Sequence, residues 1–463
     1  MLEIRKFLSA PFMALACAGL PLLSHGETIT TSLTKVADLP ISGSGGAITS
    51  PQSPRGGILQ IGNELWFTTY GGGENSVGAI VSYSMETGTF TTQHSFGLPN
   101  PDDLTQTRYD GYQPWKTTLT LGDDGLVYYA AQFGGASWTS ESNGGAIGSF
   151  DPSTVQTTGV NVVWSGQVAS NQPRNLGYTS PIYVAQAGGG ASVYFTTYAG
   201  GTSDWGTIQK VSLDASGNTT GVTQITQFTA GNSSPNSGRQ PQGGMVQVGE
   251  KIYYATASTA GGSAATLQVL DTTTDTVSVL STTWTTGGSN GAWSTPLYDS
   301  ERNAIYSLAL SGGILKWDLT TGVVDPQSLL PNSSDGAAGN FADPILFGDS
   351  IYYVKQSSGS GDNSGGQIWR YDLDSEYIEL LYNLKDFGGK ASSQSGTLSV
   401  VLEDGKEVLY FLTASDTVGT DLGALYRLEI TVVPEPSVIG LLIAGAVAAI
   451  LVRRFRQGRV CAL

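Results

Sequence analysis

One short pattern, repeated seven times, constrains this chain more than any other feature. An aliphatic residue is followed by aromatic or aliphatic bulk and then by small or polar residues. The copies are Leu65-Trp66-Phe67-Thr68-Thr69, Val127-Tyr128-Tyr129-Ala130-Ala131, Val193-Tyr194-Phe195-Thr196-Thr197, Ile252-Tyr253-Tyr254-Ala255-Thr256, Ile305-Tyr306-Ser307-Leu308-Ala309, Ile351-Tyr352-Tyr353-Val354-Lys355 and Leu409-Tyr410-Phe411-Leu412-Thr413. β-Branched and aromatic residues over so few positions favour a strand over a helix. The copies begin 62, 66, 59, 53, 46 and 58 residues apart. A loose period of this length, with its variation in the loops, marks a repeat architecture.

Each copy runs into a polar, usually glycine-rich loop and then a second recurring strand, such as Ala79 to Tyr83, Ala146 to Phe150, Thr207 to Val211 or Ala424 to Leu428. Turns such as Asp318-Leu319-Thr320-Thr321-Gly322 lead to a Thr/Val-rich third strand. Upstream of most copies a proline (Pro54, Pro114, Pro181, Pro241, Pro296 or Pro344) precedes a further apolar strand. Four antiparallel strands per repeat make a propeller blade, and closing the ring leaves only short, protected edges. The expectation is an all-β, seven-bladed β-propeller of four-stranded antiparallel blades over residues 27–432, with an open solenoid or two smaller propellers ranked below it. The seventh repeat reaches the C-terminal tail without its outer strand, so residues 27–41 are expected to supply that strand and close the ring.

Composition agrees. Glycine accounts for 62 of 463 residues and charged residues for 13%, against the usual ~7% and ~25%. That excludes a coiled coil or helical bundle. With 40% hydrophobic and 10% aromatic residues the chain can bury a core.

The two ends read differently. Arg5 and Lys6 precede an apolar run from Phe7 to Leu23, and Ser24-His25-Gly26 offers small residues at a cleavage point. Residues 1–26 therefore read as a secretory signal peptide. At the other end Val433-Pro434-Glu435-Pro436-Ser437 leads into an apolar stretch, residues 438–452, and then Arg453-Arg454-Phe455-Arg456. As a helix that stretch spans about 22 Å, short of the ~30 Å hydrocarbon core of a bilayer unless the flanking arginines snorkel. The arginines favour the cytoplasmic side, which leaves the preceding chain outside. With both ends removed, 16 Lys/Arg face 37 Asp/Glu, a net charge of −21. Such a surface repels nucleic acid and anionic lipid.

Residues 433–456 resemble the PEP-CTERM sorting signal of Gram-negative bacteria in all three of its parts: Pro434-Glu435-Pro436, the apolar helix 438–452, and Arg453, Arg454 and Arg456. The resemblance implies recognition by an exosortase, transient anchoring in the inner membrane through that helix, and delivery to the cell surface or an exopolysaccharide matrix. A simple single-pass anchor is the plainer alternative. The repeats, as in Phe67-Thr68-Thr69-Tyr70-Gly71-Gly72-Gly73 and Phe195-Thr196-Thr197-Tyr198-Ala199-Gly200-Gly201, are similar to tandem repeats of secreted bacterial proteins with interchangeable anchors, with a weaker echo of kelch repeats. That resemblance implies the propeller and no reaction.

The residues offer little for catalysis. Cys17, Cys461 and His25 lie in the terminal segments, so the folded part retains only His94. Ser-His-Asp, Cys-His and zinc chemistry lack their ligands or bases. His94 is expected as a surface residue of an outer strand. Asp102-Asp103, Asp123-Asp124 and Asp362-Asn363 could take calcium, although none fits an EF-hand loop; no other cofactor is expected.

One end of the propeller collects the loops entering the inner strands and those joining second to third strands. There the sequence gathers Tyr70, Arg108, Tyr112, Trp138, Arg174, Tyr198, Trp205, Arg239 and Trp293, with Trp115, Asp204 and Asp343 beside them. Aromatic faces with planar arginines suit a polysaccharide: rings stack on C–H faces while fixed donors and acceptors meet hydroxyl or uronate groups. The plainer alternative is that the aromatics pack between blades and the arginines pair with the acidic excess. The functional expectation is a non-catalytic surface or matrix protein that binds polysaccharide or another surface partner. The alternative is a glycoside hydrolase or polysaccharide lyase using carboxylates such as Glu74, Asp110, Glu141 or Asp204.

Overall fold

The structure is a computed structural model that describes residues 27–39, 51–99, 108–135, 144–166, 172–176, 179–229, 240–241, 243–256, 266–281, 294–308, 314–325, 343–355, 366–384, 398–403, 406–413 and 423–434. The expected signal peptide, the apolar helix and Glu435, Pro436, Arg453, Arg454 and Arg456 lie outside these; Pro434 ends the last described strand. Among the described residues no helix is long and apolar enough to cross a membrane. The chain divides into two compact units, residues 32–429 and residues 1–31 with 430–463.

Seven antiparallel sheets form the blades of a β-propeller. The first pairs Gln52–Pro54 and Leu59–Ile61 with Glu64–Gly71, followed by Ala79–Ser84 and Thr89–Ser95, so it holds five strands where the sequence suggests four. The second runs Thr120–Leu121, Val127–Ala131, Ala146–Phe150 and Asn161–Ser165, with one helical turn at Val155–Thr158. The third holds Ile182–Ala185, Ala191–Thr197, Thr207–Leu213 and Thr219–Gln227; the fourth Met245–Val248, Lys251–Ala255, Leu267–Asp271 and Thr276–Ser281. The fifth is Leu297–Asp299, Ala304–Leu308, Ile314–Asp318 and Val323–Asp325; the sixth Ile345–Phe347, Ser350–Lys355, Gln367–Asp372 and Ile378–Asn383. In the seventh, Leu398–Glu403, Lys406–Thr413 and Ala424–Pro434 are joined on the outside by Glu27–Asp38, the N-terminal strand.

The aromatic runs are the second strands, and their composition follows from burial on both faces. Successive side chains point to opposite faces of a strand, and in a propeller each face meets another blade. Leu65 and Phe67 therefore join Val408, Tyr410, Leu412 and Leu425 of the seventh blade. Trp66, between them, joins Val127, Tyr129 and Ala131 of the second. Likewise Val193 and Phe195 pack toward the second blade while Tyr194 packs toward the fourth. Full burial of one such side chain contributes about 1.5–3 kcal/mol. Between the sixth and seventh blades the Tyr352 hydroxyl donates to the Glu407 carboxylate.

The upstream prolines and the loop glycines answer each other across blade boundaries. A Cβ on Gly78, where φ is +109°, would lie 2.4 Å from the Thr69 carbonyl oxygen and 3.1 Å from Pro114 Cδ. Gly206 stands in the same relation to Pro241, and Gly423 to Pro54. Beside these contacts the Gln113 N–H donates to the Val77 carbonyl and the Gln240 N–H to the Trp205 carbonyl, each at 2.7 Å. These bonds hold the start of one blade against the loop of the blade before it, at the end of the ring where the inner strands begin.

The opposite end carries the acidic turns. Asp271 Oδ1 accepts the Thr273 hydroxyl and then the Thr273 and Thr274 amides, and Asp318 Oδ1 accepts the amides of Thr321 and Thr320. These hydrogen bonds favour the charged form and hold both carboxyls below their ordinary range. Asp124, half of a suggested calcium pair, accepts the Tyr128 hydroxyl at 2.7 Å and the Leu126 amide at 3.0 Å.

Candidate functional site

The end where the inner strands begin carries an aromatic and cationic rim. Arg55 follows Pro54 on the approach to the first inner strand, Tyr70 is the last residue but one of the strand Glu64–Gly71, and Trp115 follows Pro114 on the approach to the second blade. The Arg55 guanidinium carbon lies 4.3 Å from the Tyr70 ring centroid and 4.1 Å from that of Trp115. The two rings meet edge to face at 5.1 Å. Burial raises the Tyr70 hydroxyl pKa, with Arg55 opposing. Arg108 places its guanidinium 4.8 Å over the Tyr112 ring, and Tyr112 meets Phe133 at 5.4 Å. Arg55, Tyr70, Arg108, Tyr112 and Trp115 all remain half-buried.

At the same end of the propeller a cavity of about 240 Å3 is lined by the approach segments of six blades, which meet around the axis. Gly57 and Ile58 come from the first blade, Thr118 and Thr120 from the second, Ser180 and Ile182 from the third, Met245 from the fourth, Thr295 from the fifth, and Asp343, Pro344 and Ile345 from the sixth. Side-chain oxygens of one blade bind the backbone of the blade before it. The Thr118 N–H donates to Ser180 Oγ at 2.9 Å, the Gly244 N–H to Thr295 Oγ1 at 3.2 Å and the Thr295 N–H to Asp343 Oδ1 at 2.7 Å. Thr118 Oγ1 approaches Asp343 Oδ2 to 3.5 Å, from the second blade to the sixth.

Asp343 is the one charged group among the described residues lining this cavity. Burial pushes its carboxyl above the ordinary range, opposed by the Thr295 amide and by the charge of Lys116. Lys116 follows Trp115, and its ammonium nitrogen is enclosed. Burial pushes that ammonium down to about 7, with the Asp343 charge acting the other way. An acid in the cavity wall and a base outside it thus act on each other, and burial disfavours the charged form of each.

Tyr70, Arg108 and Tyr112 thus share this region. The other described members of the expected surface do different work. Arg174 forms an ion pair with Asp204 at 2.7 Å, and its backbone bridges to Ala199 in the third blade. Tyr198 donates its amide to the Asn175 carbonyl at 2.8 Å. Trp205 packs against the core cluster of the third and fourth blades, and its carbonyl holds Gln240. Trp138, Arg239 and Trp293 lie outside the described residues. His94 belongs to an outer strand, as its sequence suggests, but it is buried, with Nε2 2.8 Å from Asp110 Oδ2. Asp110 also accepts the Gly97 and Leu98 amides, which makes this buried pair a brace for the loop between the first two blades.

Arg55 and Lys116 are the residues that sequence reasoning passes over. Their signal is position: each follows one of the recurrent prolines, where the chain carries few other bases. Among the described residues no group of three or more His, Cys, Asp or Glu side chains is arranged to hold a metal.

No family model and no curated protein matches this chain. Solved structures do. The chain is similar to the structure of U3-55K, with 11% identity, TM-score 0.48, and coverage of 85% of this chain and 98% of that one. It is similar to an oligogalacturonate lyase in complex with manganese, with 11% identity, TM-score 0.46, and coverage of 88% and 97%. A puromycin-hydrolyzing peptidase of Mycobacterium tuberculosis gives 10% identity and TM-score 0.39; the match covers 82% of this chain and only 62% of the peptidase. Identities this low carry nothing about activity, and the assignment of the fold rests on the strand pairing above.

Proposed function

We propose that this protein is an exported, non-catalytic polysaccharide-binding propeller, delivered to the cell surface or extracellular matrix through its PEP-CTERM-like tail and an exosortase. The observation that supports binding is the half-buried rim of Arg55, Tyr70, Arg108, Tyr112 and Trp115, in which two guanidinium groups lie over aromatic rings. Stacking the rings and arginines on each other fixes them before any ligand arrives, which lowers the ordering cost of binding. The export half of the proposal rests on the tripartite pattern at residues 434–456.

The test is retention of the protein on immobilised exopolysaccharide from Gram-negative matrix-forming cells, with Trp115→Ala and Tyr112→Ala alongside. The reading expects wild-type retention and at least a tenfold weakening in each variant. Retention indifferent to both substitutions contradicts it.

A carbohydrate-active hydrolase or lyase is the second reading, favoured by one observation: Asp343 and Lys116 are both displaced from their ordinary protonation ranges, as acid and base groups in active sites often are. Shortened or unsaturated products released from the bound polymer would decide for it.

A further inference from the structure

We propose that the axial cavity is an end-recognition pocket, which seats the terminal neutral sugar unit of a glycan by pairing a vicinal diol with the Asp343 carboxylate. This rests on the polysaccharide-binding reading and specifies which part of the glycan is held. Three observations carry it. First, the described residues line the cavity with approach segments from six of the seven blades, which favours a ligand that enters end-on along the axis over a chain lying across it. Second, at about 240 Å3 it falls just below the ~300–1,000 Å3 of pockets for drug-sized ligands, the scale of a single sugar ring. Third, its chemistry is divided as a sugar ring is. Ile58, Ile182, Met245 and Ile345 offer an apolar wall for the C–H face. Asp343 accepts the Thr295 amide on Oδ1 and has the Thr118 hydroxyl 3.5 Å from Oδ2, and a carboxylate, with about four lone-pair sites, retains acceptor capacity beyond these.

Ser180 completes the polar side. Its Oγ accepts the Thr118 N–H at 2.9 Å, and a hydroxyl that accepts one hydrogen bond retains a proton to donate. Asp343 is the charge on the described lining and Lys116 stands outside it, so a uronate seated against Asp343 meets the like charge at the shorter range, which is unfavourable. The terminal unit recognised is therefore neutral, whatever the charge of the chain behind it.

The experiment titrates the full chain with a panel of neutral oligosaccharides (β-1,4- and β-1,3-glucans, mannans and galactans) and with the same oligosaccharides oxidised to a uronate at the non-reducing end. Asp343→Asn retains an oxygen for the Thr295 amide and removes the charge. Ile345→Phe fills the cavity from its wall and serves if Asp343→Asn does not fold. The proposal expects one glycan chain per protein whatever its length, at least tenfold weaker binding by each variant, and at least tenfold weaker binding of the oxidised ends. It is overturned if wild type binds the panel while both variants and the oxidised ends bind equally well. Failure of wild type to bind any neutral glycan or polysaccharide instead overturns the functional reading beneath it.

Discussion

The Thr295 amide donates to Asp343 Oδ1 at 2.7 Å, which ties the approach to the fifth blade onto a carboxylate of the sixth. Asp343 thereby holds a backbone donor and faces the buried Lys116 at once. Removing one member of a buried charge pair leaves the other uncompensated and costs ~3–5 kcal/mol, whereas replacing both is often nearly neutral. Asp343→Leu alone is therefore expected to be strongly destabilising, and Asp343→Leu with Lys116→Met much less so. Urea denaturation of the two single variants and the double variant measures the difference; additive single effects would show that the two groups do not interact.

Lys116 makes stability depend on pH in a direction that can be stated. Its ammonium titrates at about 7 in the folded protein, against an ordinary 10.5. Between those values the unfolded chain holds a proton that the folded chain has lost, so stability rises with pH through that window. Relative to Lys116→Met, wild type is expected to gain stability from pH 7 to pH 10 and to show no further loss from this group below its folded value. Asp343 acts at the acid end with the opposite slope: its raised pKa contributes stability that is lost as pH rises through its folded value. Denaturation of wild type and variant at matched pH values checks the sign.

Arg55 is expected to resist replacement by lysine. Its planar guanidinium lies near both the Tyr70 and Trp115 rings, and an ammonium cannot stack in that way. Arg55→Lys should cost about 1 kcal/mol and alter the fluorescence of Trp115. A variant with wild-type stability and emission would show that the stack contributes nothing.

Blade spacing on the axis depends on two paired glycines. A Cβ on Gly56 would lie 2.2 Å from the Thr117 carbonyl oxygen, and one on Gly243 would lie 2.4 Å from that of Ser294. Both obstacles are backbone of the next blade, which no rotamer change relieves. Gly56→Ala and Gly243→Ala are each expected to lose at least ~1–3 kcal/mol by overpacking. Gly62→Ala, whose Cβ would meet nothing within 4 Å, removes the left-handed freedom of a surface turn and serves as the unpacked comparison. Equal melting temperatures for Gly56→Ala and wild type would contradict the close approach.

The strands are legible in the sequence where both faces of a blade are covered. Val127–Ala131 and Ala146–Phe150 fall where their composition places them, because in an interior strand every position favours bulk or a small apolar residue. Which interface each ring serves is not legible. Trp66 and Phe67 are neighbours in sequence and belong to different blade contacts. Trp205 has the composition of a ligand-facing aromatic, yet it occupies the same position in its blade as Val77, against the segment that precedes the next proline. His94 looks like a surface histidine until Asp110 is brought to it from beyond its strand. Arg55, Lys116 and Asp343 acquire meaning only when separate blades are assembled around one axis, a relationship that local pattern does not encode.

Whether the rim end of the propeller binds glycan is decided by glycan-array binding of the full chain beside Trp115→Ala. Binding to at least one polysaccharide or oligosaccharide class is expected, weakened at least tenfold by the substitution while the protein remains folded. Absence of binding across the array, or binding that Trp115→Ala leaves unchanged, would contradict this expectation.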